Sequence, residues 1–519
     1  MISAVLQDRR KWQAVALAFS SVTTVALLFW LQGYLGFNFW DEGFLWYGTQ
    51  RVMVGEIPIR DFMAYDPGRY YWSAAIMTLM RDNGIIANRV AVAMFQTVGL
   101  FLGLILLARN CPREAIVPLL LAAGTFVVWM FPRHKLFDIT VSLSLVAILT
   151  FLIREPSRHR LFLTGFLVGL VAIVGRNHGV YGVLGSISAL MYVSMKRDDS
   201  AFIPKFQWWL GGVIAGYTPM IVCLIVVPGF AWAFWESIAF LWEYKGTNLP
   251  LPIPWPWRVD YQQYWVDVAC DALVGAFFVA VFVFTVVNIG VLVRSTIKNT
   301  IVSPVFAAAV LMALPYAHFA FSRADVGHLG QGIFPFLTGV LVLLLGSSPA
   351  VATTGTAILF ATSLVVTLPQ HPAWQFYRAG NWLNITIAGD KLIVDPSTAS
   401  DVALLSNLVE NHAPDGRAFV VTPYWPGAYA AFARESPMWE IYALFPRSTA
   451  FQEREIQRIK RANPGFALVI DRALDGREEL RFRNTHPLID RYIRMNYDPL
   501  DDLDKRGGFQ IYVNNRLGQ

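Results

Sequence analysis

The sequence predicts a mainly α fold: a polytopic helical membrane domain resembling no soluble class, followed by a small extracytoplasmic α/β domain. Three observations predict it. The chain is 55% hydrophobic and only 15% charged, where an ordinary soluble domain carries roughly 25% charged residues. Its mean hydropathy is +0.46. Long apolar runs recur up to residue 369 and then stop.

A helix that crosses a bilayer needs about 20 mostly apolar residues. The runs are 12–35, 87–108, 115–131, 137–153, 161–175, 180–195, 208–228, 270–293, 301–321, 331–346 and 350–369. They give about eleven spans. The first run follows Arg9, Arg10 and Lys11 and exceeds the 7–15 residues, roughly, of a signal-peptide core, so it reads as a retained span. Cytoplasmic loops collect Lys and Arg. With the N-terminus in the cytoplasm, every second loop is basic: Arg109 and Arg113; Arg154, Arg158 and Arg160; Lys196, Arg197 and Lys205; Arg294 and Lys298. The other loops, 36–86, 132–136, 176–179, 229–269 and 322–330, then face outward. An odd number of spans leaves the tail outside as well.

The division is therefore 1–369, a membrane domain with its first outer loop at 36–86, and 370–519, a polar domain. The tail alternates short β-prone runs (Ala418–Val421, Ala467–Ile470, Phe509–Val513) with amphipathic stretches (Asp401–Asn411, Phe451–Arg461, Pro487–Met495). That alternation predicts α/β. Thr422-Pro423 and Pro464-Gly465 punctuate it.

The net charge of +6 and pI near 9.1 follow from the basic cytoplasmic loops. No basic stripe with interleaved aromatics is present, so no nucleic-acid partner is expected. Cys111, Cys223 and Cys270 have neither metal nor redox spacing. No P-loop, GxGxxG, HExxH or GxSxG occurs. No cofactor is expected, and a divalent metal has no recognisable ligand set.

The first outer loop is the most informative segment. Adjacent carboxylates, Asp41-Glu42, follow the first span among aromatic residues, and Asp61, Asp66 and Arg69 come shortly after. Rings suit the membrane interface, whereas carboxylates there are costly and couple to nearby cations. The plain alternative is a hydrated interfacial loop. Three further outer loops hold cations where the charge rule expects none: Arg133, His134 and Lys135 (with Asp138); Arg176 and His178; Arg323 and His328 (with Asp325). Clustered Arg and Lys suit a phosphate. The plain alternative is local pairing, such as Arg323 with Asp325. In the loop from Trp235 to Trp265, aromatic faces suit either a sugar or an interfacial belt.

These features resemble the GT-C superfamily of integral-membrane glycosyltransferases, and within it the bacterial branch related to protein O-mannosyltransferases and the aminoarabinose transferase of lipid A. Asp41-Glu42 looks like that family's acidic pair after the first span. Asp66-Pro67-Gly68-Arg69-Tyr70-Tyr71-Trp72 looks like its acidic-Pro-Pro-aromatic segment, with Gly68 in place of the second Pro and Asp66 where Glu is common. Arg133-His134-Lys135 through Asp138 falls where the family has a polar loop, and the tail, including the stretch from His486 to Tyr497, resembles its outer domain.

The resemblance implies a polyprenyl-phosphate-linked sugar as donor and an inverting attack by an acceptor hydroxyl of a glycolipid, an envelope glycan or a protein. It implies that Asp41 is the base, with Glu42 positioning or supporting it. Arg133, His134, Lys135, Arg176, His178, Arg323 and His328 become candidates for the donor phosphate, and Asp61, Asp66 and Arg69 for substrate. It implies a bacterial inner membrane, with the N-terminus cytoplasmic and the tail periplasmic. Three other classes fit less well. A flippase or transporter of lipid-linked sugars predicts related halves and broken mid-membrane helices, and no internal symmetry is evident. A non-catalytic assembly subunit predicts a dispensable Asp41. A glycan polymerase or ligase with a diphosphate-linked donor places key Arg residues in a large late outer loop, which Arg323 and His328 keep open.

Overall fold

The computed structural model describes residues 2–110, 115–196, 202–244, 246, 248–500 and 508–514. Cys111, Arg113 and Arg197 lie outside the described residues, as do the side chains of Arg9, Arg10 and Lys196. In chain order the helices begin α1 (Ile2–Gln32), α2 (Asp41–Met53), α3 (Gly68–Met80), α4 (Ile85–Ala108), α5 (Ile116–Trp129), α6 (Leu136–Arg154), α7 (Arg158–Val174) and α8 (Arg176–Lys196). They continue with α9 (Phe202–Val226), α10 (Phe230–Tyr244), α11 (Trp265–Ile297), α12 (Pro304–Ser322), α13 (Val326–Gly332), α14 (Phe334–Leu345) and α15 (Pro349–Thr367).

The chain divides into two units, one of residues 1–32 and 92–375, the other of residues 33–91 and 376–519. The helical unit holds the apolar runs. Each of the eleven sequence runs is helical. Among the described residues, seven helices are long and apolar enough to cross a membrane, or eight if α13 and α14, bent by 61° at their junction, count as one span. The remaining runs fall short for identifiable reasons. α5 has 14 residues, about 21 Å at the helical rise, against a hydrocarbon core of about 30 Å. α7 has 17 residues and opens on Arg158-His159-Arg160, and α8 opens on Arg176-Asn177-His178.

Small residues set the closest packing here. A Cβ added at Gly165 would lie 2.0 Å from the Trp209 carbonyl oxygen, and one at Gly169 would lie 2.4 Å from that of Val213. From the other side, Gly212 and Gly216 meet the carbonyls of Phe162 and Phe166 at 2.1 and 2.0 Å. α7 and α9 thus pair through two Gly-xxx-Gly stripes, the arrangement that lets helix backbones touch in lipid.

The second unit is α/β. After α16 (Pro372–Ala379) come an antiparallel hairpin, β1 (Leu383–Ile387) and β2 (Asp390–Val394), and helix α17 (Pro396–His412). Then follow β3 (Val420–Thr422), α18 (Pro426–Ala431), α19 (Thr449–Ala462), β4 (Phe466–Ile470), α20 (Phe482–Thr485), α21 (Pro487–Asn496), β5 (Asp498–Pro499) and β6 (Phe509–Val513). The sheet order is β3-β4-β6-β5, with β3 and β4 parallel and β6 antiparallel to β4 and β5.

Strand side chains alternate between faces. Val420, Ala467, Val469 and Tyr512 pack with Ile459 of α19 and Ile489 and Ile493 of α21. Val421, Leu468, Ile470 and Ile511 face the other way, onto Leu405 and Leu408 of α17 and onto Phe37, Phe39, Phe44 and Trp46. Those last four belong to the segment after the first long helix. By packing, residues 33–91 share a core with the tail, whereas by composition the chain changes character at 369/370.

Candidate active site

The acidic pair opens α2. The Asn38 side-chain oxygen accepts from the Trp40 and Asp41 amides at 2.8 and 3.0 Å, which satisfies two of the donors that every helix start leaves without an intrahelical partner. Asp41 and Glu42 fill the first turn, where negative charge suits the helix dipole. Successive residues point about 100° apart around a helix, so adjacent acids meet different surroundings. Asp41 is half-buried, and Glu42 is buried.

Glu42 is bound by Arg89. The Arg89 Nε donates to Glu42 Oε1 at 2.7 Å and Nη2 donates to Oε2 at 2.8 Å. The guanidinium also donates to the carbonyls of Gly33 at 2.7 Å and Gly36 at 2.6 Å. The Asn38 amide reaches Glu42 Oε2 at 3.4 Å. Arg89 is 2% exposed. A fork-to-fork pair of this kind, with its remaining donors also engaged, is the geometry in which a buried ion pair holds. It ties α2 to the backbone at 33–36 and to the first turn of α4. Glu42 is thereby charge-balanced on site.

Asp61 is held by Arg60 through two contacts of 2.8 Å, and it accepts the Ile57 amide at 2.8 Å. Burial works to raise its carboxyl, but the Arg60 and Ile57 hydrogen bonds outweigh that and hold it below the usual carboxylate range. Asp66 and Arg69 are both buried, and the Arg69 guanidinium lies 4.8 Å from the centre of the Tyr65 ring. The unit thus contains Asp41, Glu42, Asp61, Asp66 and Arg69 together.

The other candidates lie in the helical unit. Arg133, His134 and Lys135 form a half-buried 3-10 turn ahead of α6. Arg133 Nη2 donates to the Gln32 carbonyl at 2.8 Å, a cation placed where α1 ends and its carbonyls lack partners. Arg176 donates to Ser237 Oγ at 2.9 Å and lies 5.1 Å from the Phe234 ring centre. His178 is buried with both ring nitrogens engaged, Nε2 with Asp138 at 2.9 Å and Nδ1 with the Tyr316 hydroxyl at 2.8 Å. Arg323 pairs with Asp325 at 2.9 Å and donates to the Leu249 carbonyl at 3.1 Å. Asp325 also contacts the His328 ring at 3.0 Å and caps α13 through the His328 amide at 2.7 Å. Arg133, Arg176, His178, Arg323 and His328 thus each have a local partner.

Among the described residues, no group of three or more His, Cys, Asp or Glu is arranged to hold a metal ion. Sequence reasoning missed Arg89. Its signal was present: a guanidinium at the start of the apolar run 87–108 needs a buried partner. It also missed Asn38 as the acceptor for the Trp40 and Asp41 amides and Tyr316 as the second partner of His178.

The fold and these centres define a multi-span helical membrane protein with a small α/β unit. No family model matches the chain, and no curated protein matches its sequence. Among solved structures it is similar to ArnT from Cupriavidus metallidurans bound to undecaprenyl phosphate, with 11% identity, 88% of this chain and 92% of that chain covered, and a TM-score of 0.49. It is also similar to the oligosaccharyltransferase of Archaeoglobus fulgidus in the apo form, with 11% identity, 94% and 73% of the respective chains covered, and a TM-score of 0.49. No residue role is carried over from either.

Proposed function

We propose that the chain is an inverting glycosyltransferase that moves a sugar from a polyprenyl-phosphate-linked donor to an acceptor hydroxyl at the outer face of a bacterial inner membrane. The acceptor belongs to a glycolipid, an envelope glycan or a protein, and the transferred group is a hexose or a pentose. The N-terminus is cytoplasmic in this reading, and the tail is periplasmic.

The observation that carries it is the division of labour at α2. Of two adjacent carboxylates, Glu42 is sealed against Arg89 and Asp41 is half-buried in the same turn. Asp41 takes the role of general base, accepting the proton of the acceptor hydroxyl as its oxygen attacks the anomeric carbon and the phosphate leaves. A positioned base contributes about 10²–10⁴-fold in rate. A retaining double displacement would need a second carboxylate about 5 Å away to act as nucleophile. Glu42 and Asp61 have both oxygens committed to Arg89 and Arg60, which leaves Asp66 as the acid that a double displacement would need; a single displacement is the reading proposed. Asp66 and Arg69 are assigned to shaping the substrate site.

Arg133, His134, Lys135 and Arg176 are the candidates for direct contact with the developing phosphate charge. His178, Arg323 and His328 are candidates for the same role, each also held by a local partner. No metal is invoked.

The test is a strain lacking the gene, with its polyprenyl-phosphate sugars and envelope glycans measured. Accumulation of one polyprenyl-phosphate sugar, together with loss of one glycan residue restored by the wild-type chain, is expected. Unchanged lipid and glycan profiles would contradict the reading.

A further inference from the structure

The segment Phe39 to Gly43 is gripped from within its own unit by Tyr424 to Gly427. Phe39 stacks on Trp425 with ring centres 5.1 Å apart, and Trp40 lies parallel to Tyr424 at 4.7 Å with an interplanar angle of 1°. The Gly427 amide donates to the Phe39 carbonyl at 2.9 Å. One turn into α2, the two backbones touch: a Cβ added at Gly43 would lie 2.5 Å from Gly427 Cα, and one at Gly427 would lie 2.9 Å from Gly43 Cα. Neither obstacle is a flexible side chain, so any added carbon must separate the two backbones.

Asp41 lies between the stacked Trp40 and the glycine contact. Tyr424 is anchored in turn, its hydroxyl donating to the Arg472 carbonyl at 3.3 Å, just beyond the end of β4. Pro426 opens α18, which begins four residues after β3 ends. The grip is therefore fixed to the carboxyl ends of the two parallel strands.

We infer that Tyr424–Gly427 is a positioning element for Asp41: two stacked ring pairs and a glycine-to-glycine backbone contact set the place and direction of the first turn of α2, so that the sheet of the tail serves the base. The inference rests on the reading of Asp41 given above. A base acts only within hydrogen-bond reach of its proton, and a misplacement of about 1 Å can cost on the order of 10²-fold in rate. Tyr424 and Gly427 are positioning residues that act through Asp41.

The experiment uses the full chain. Gly427→Ala, Tyr424→Leu and Tyr424→Phe are compared by amide hydrogen exchange in detergent and by restoration of the lost glycan in the deletion strain. Gly427→Ala and Tyr424→Leu are expected to speed exchange at residues 40–44 at least tenfold, leave β4 exchange unchanged, and lower transfer at least tenfold at equal protein level. Tyr424→Phe keeps the stack and is expected to transfer within about threefold of wild type. Wild-type transfer by Gly427→Ala would overturn the inference. So would a joint rise of exchange in α2 and β4, which is general loosening. The two claims fail separately: if Asp41→Asn is inactive and Gly427→Ala is active, the positioning role fails alone; if Asp41→Asn is active, the base assignment fails and the positioning role with it.

Discussion

Glu42 and Asp138 are both buried acids, and the protein treats them differently. Glu42, in the α/β unit, meets a guanidinium that is always charged and that also reaches two backbone carbonyls. Asp138, in the helical unit, meets the imidazole of His178, which is charged only when protonated and whose other nitrogen is closed off by Tyr316. The neighbours differ as well. Asp41 stands half-buried beside Glu42, whereas Ile139, Thr140 and Val141 follow Asp138 into the bundle. On the reading proposed above the sealed acid supports and the acid next to it reacts; of the two centres compared, the Glu42 centre presents such a neighbour in its own helical turn.

Removing the permanent partner should have the largest effect. Arg89→Ala leaves Glu42 buried and uncompensated, a loss of about 3–5 kcal/mol, read as a lowered melting temperature of the full chain and loss of transfer with it. Melting unchanged from wild type would show that the pair is not what holds α2.

A third buried acid gives an intermediate case. Glu455 of α19 has Arg458 at 3.2 Å, but that guanidinium is half-exposed. Burial dominates there and raises the carboxyl from about 4.5 to about 7. An acid whose folded value is raised gives stability that is fully present below its unfolded value and is lost as pH climbs through the folded one. Between pH 4.5 and 7 this amounts to about 3 kcal/mol. Glu455→Gln is expected to flatten the stability-versus-pH curve of the full chain over that window. A curve with unchanged slope would remove Glu455 as its source.

The imidazole centre should give the smallest effect. His178→Gln keeps one of the two hydrogen bonds and leaves one group unmatched, at about 1–3 kcal/mol, read as a lowered melting temperature. A fall in transfer with unchanged melting would instead place His178 on the donor phosphate.

Most of this architecture is legible in the sequence, because apolar run length and β-prone alternation are local signals. All eleven runs are helical, and the three β-prone runs of the tail lie on β3, β4 and β6. The β1–β2 hairpin was not legible. Its turn places Ala388 and Gly389 at φ 48° and 90°, so an Ala stands where the usual Asn or Asp turn signal would be. The acidic pair was legible as a motif. Its division into one sealed and one half-buried acid was not, since it depends on Arg89, 47 residues further along. Nor was the Gly43–Gly427 contact, which joins residues 384 positions apart and leaves no trace in local pattern.

The central claim is that Asp41 does chemistry while Glu42 supports it. The most direct measurement is sugar transfer and melting temperature for Asp41→Asn, with both values set against wild type. The expected result is transfer reduced by about 10²–10⁴-fold with melting unchanged within about 1 °C, a shift corresponding to about 1 kcal/mol for a chain of this length. Wild-type transfer by Asp41→Asn would contradict the account.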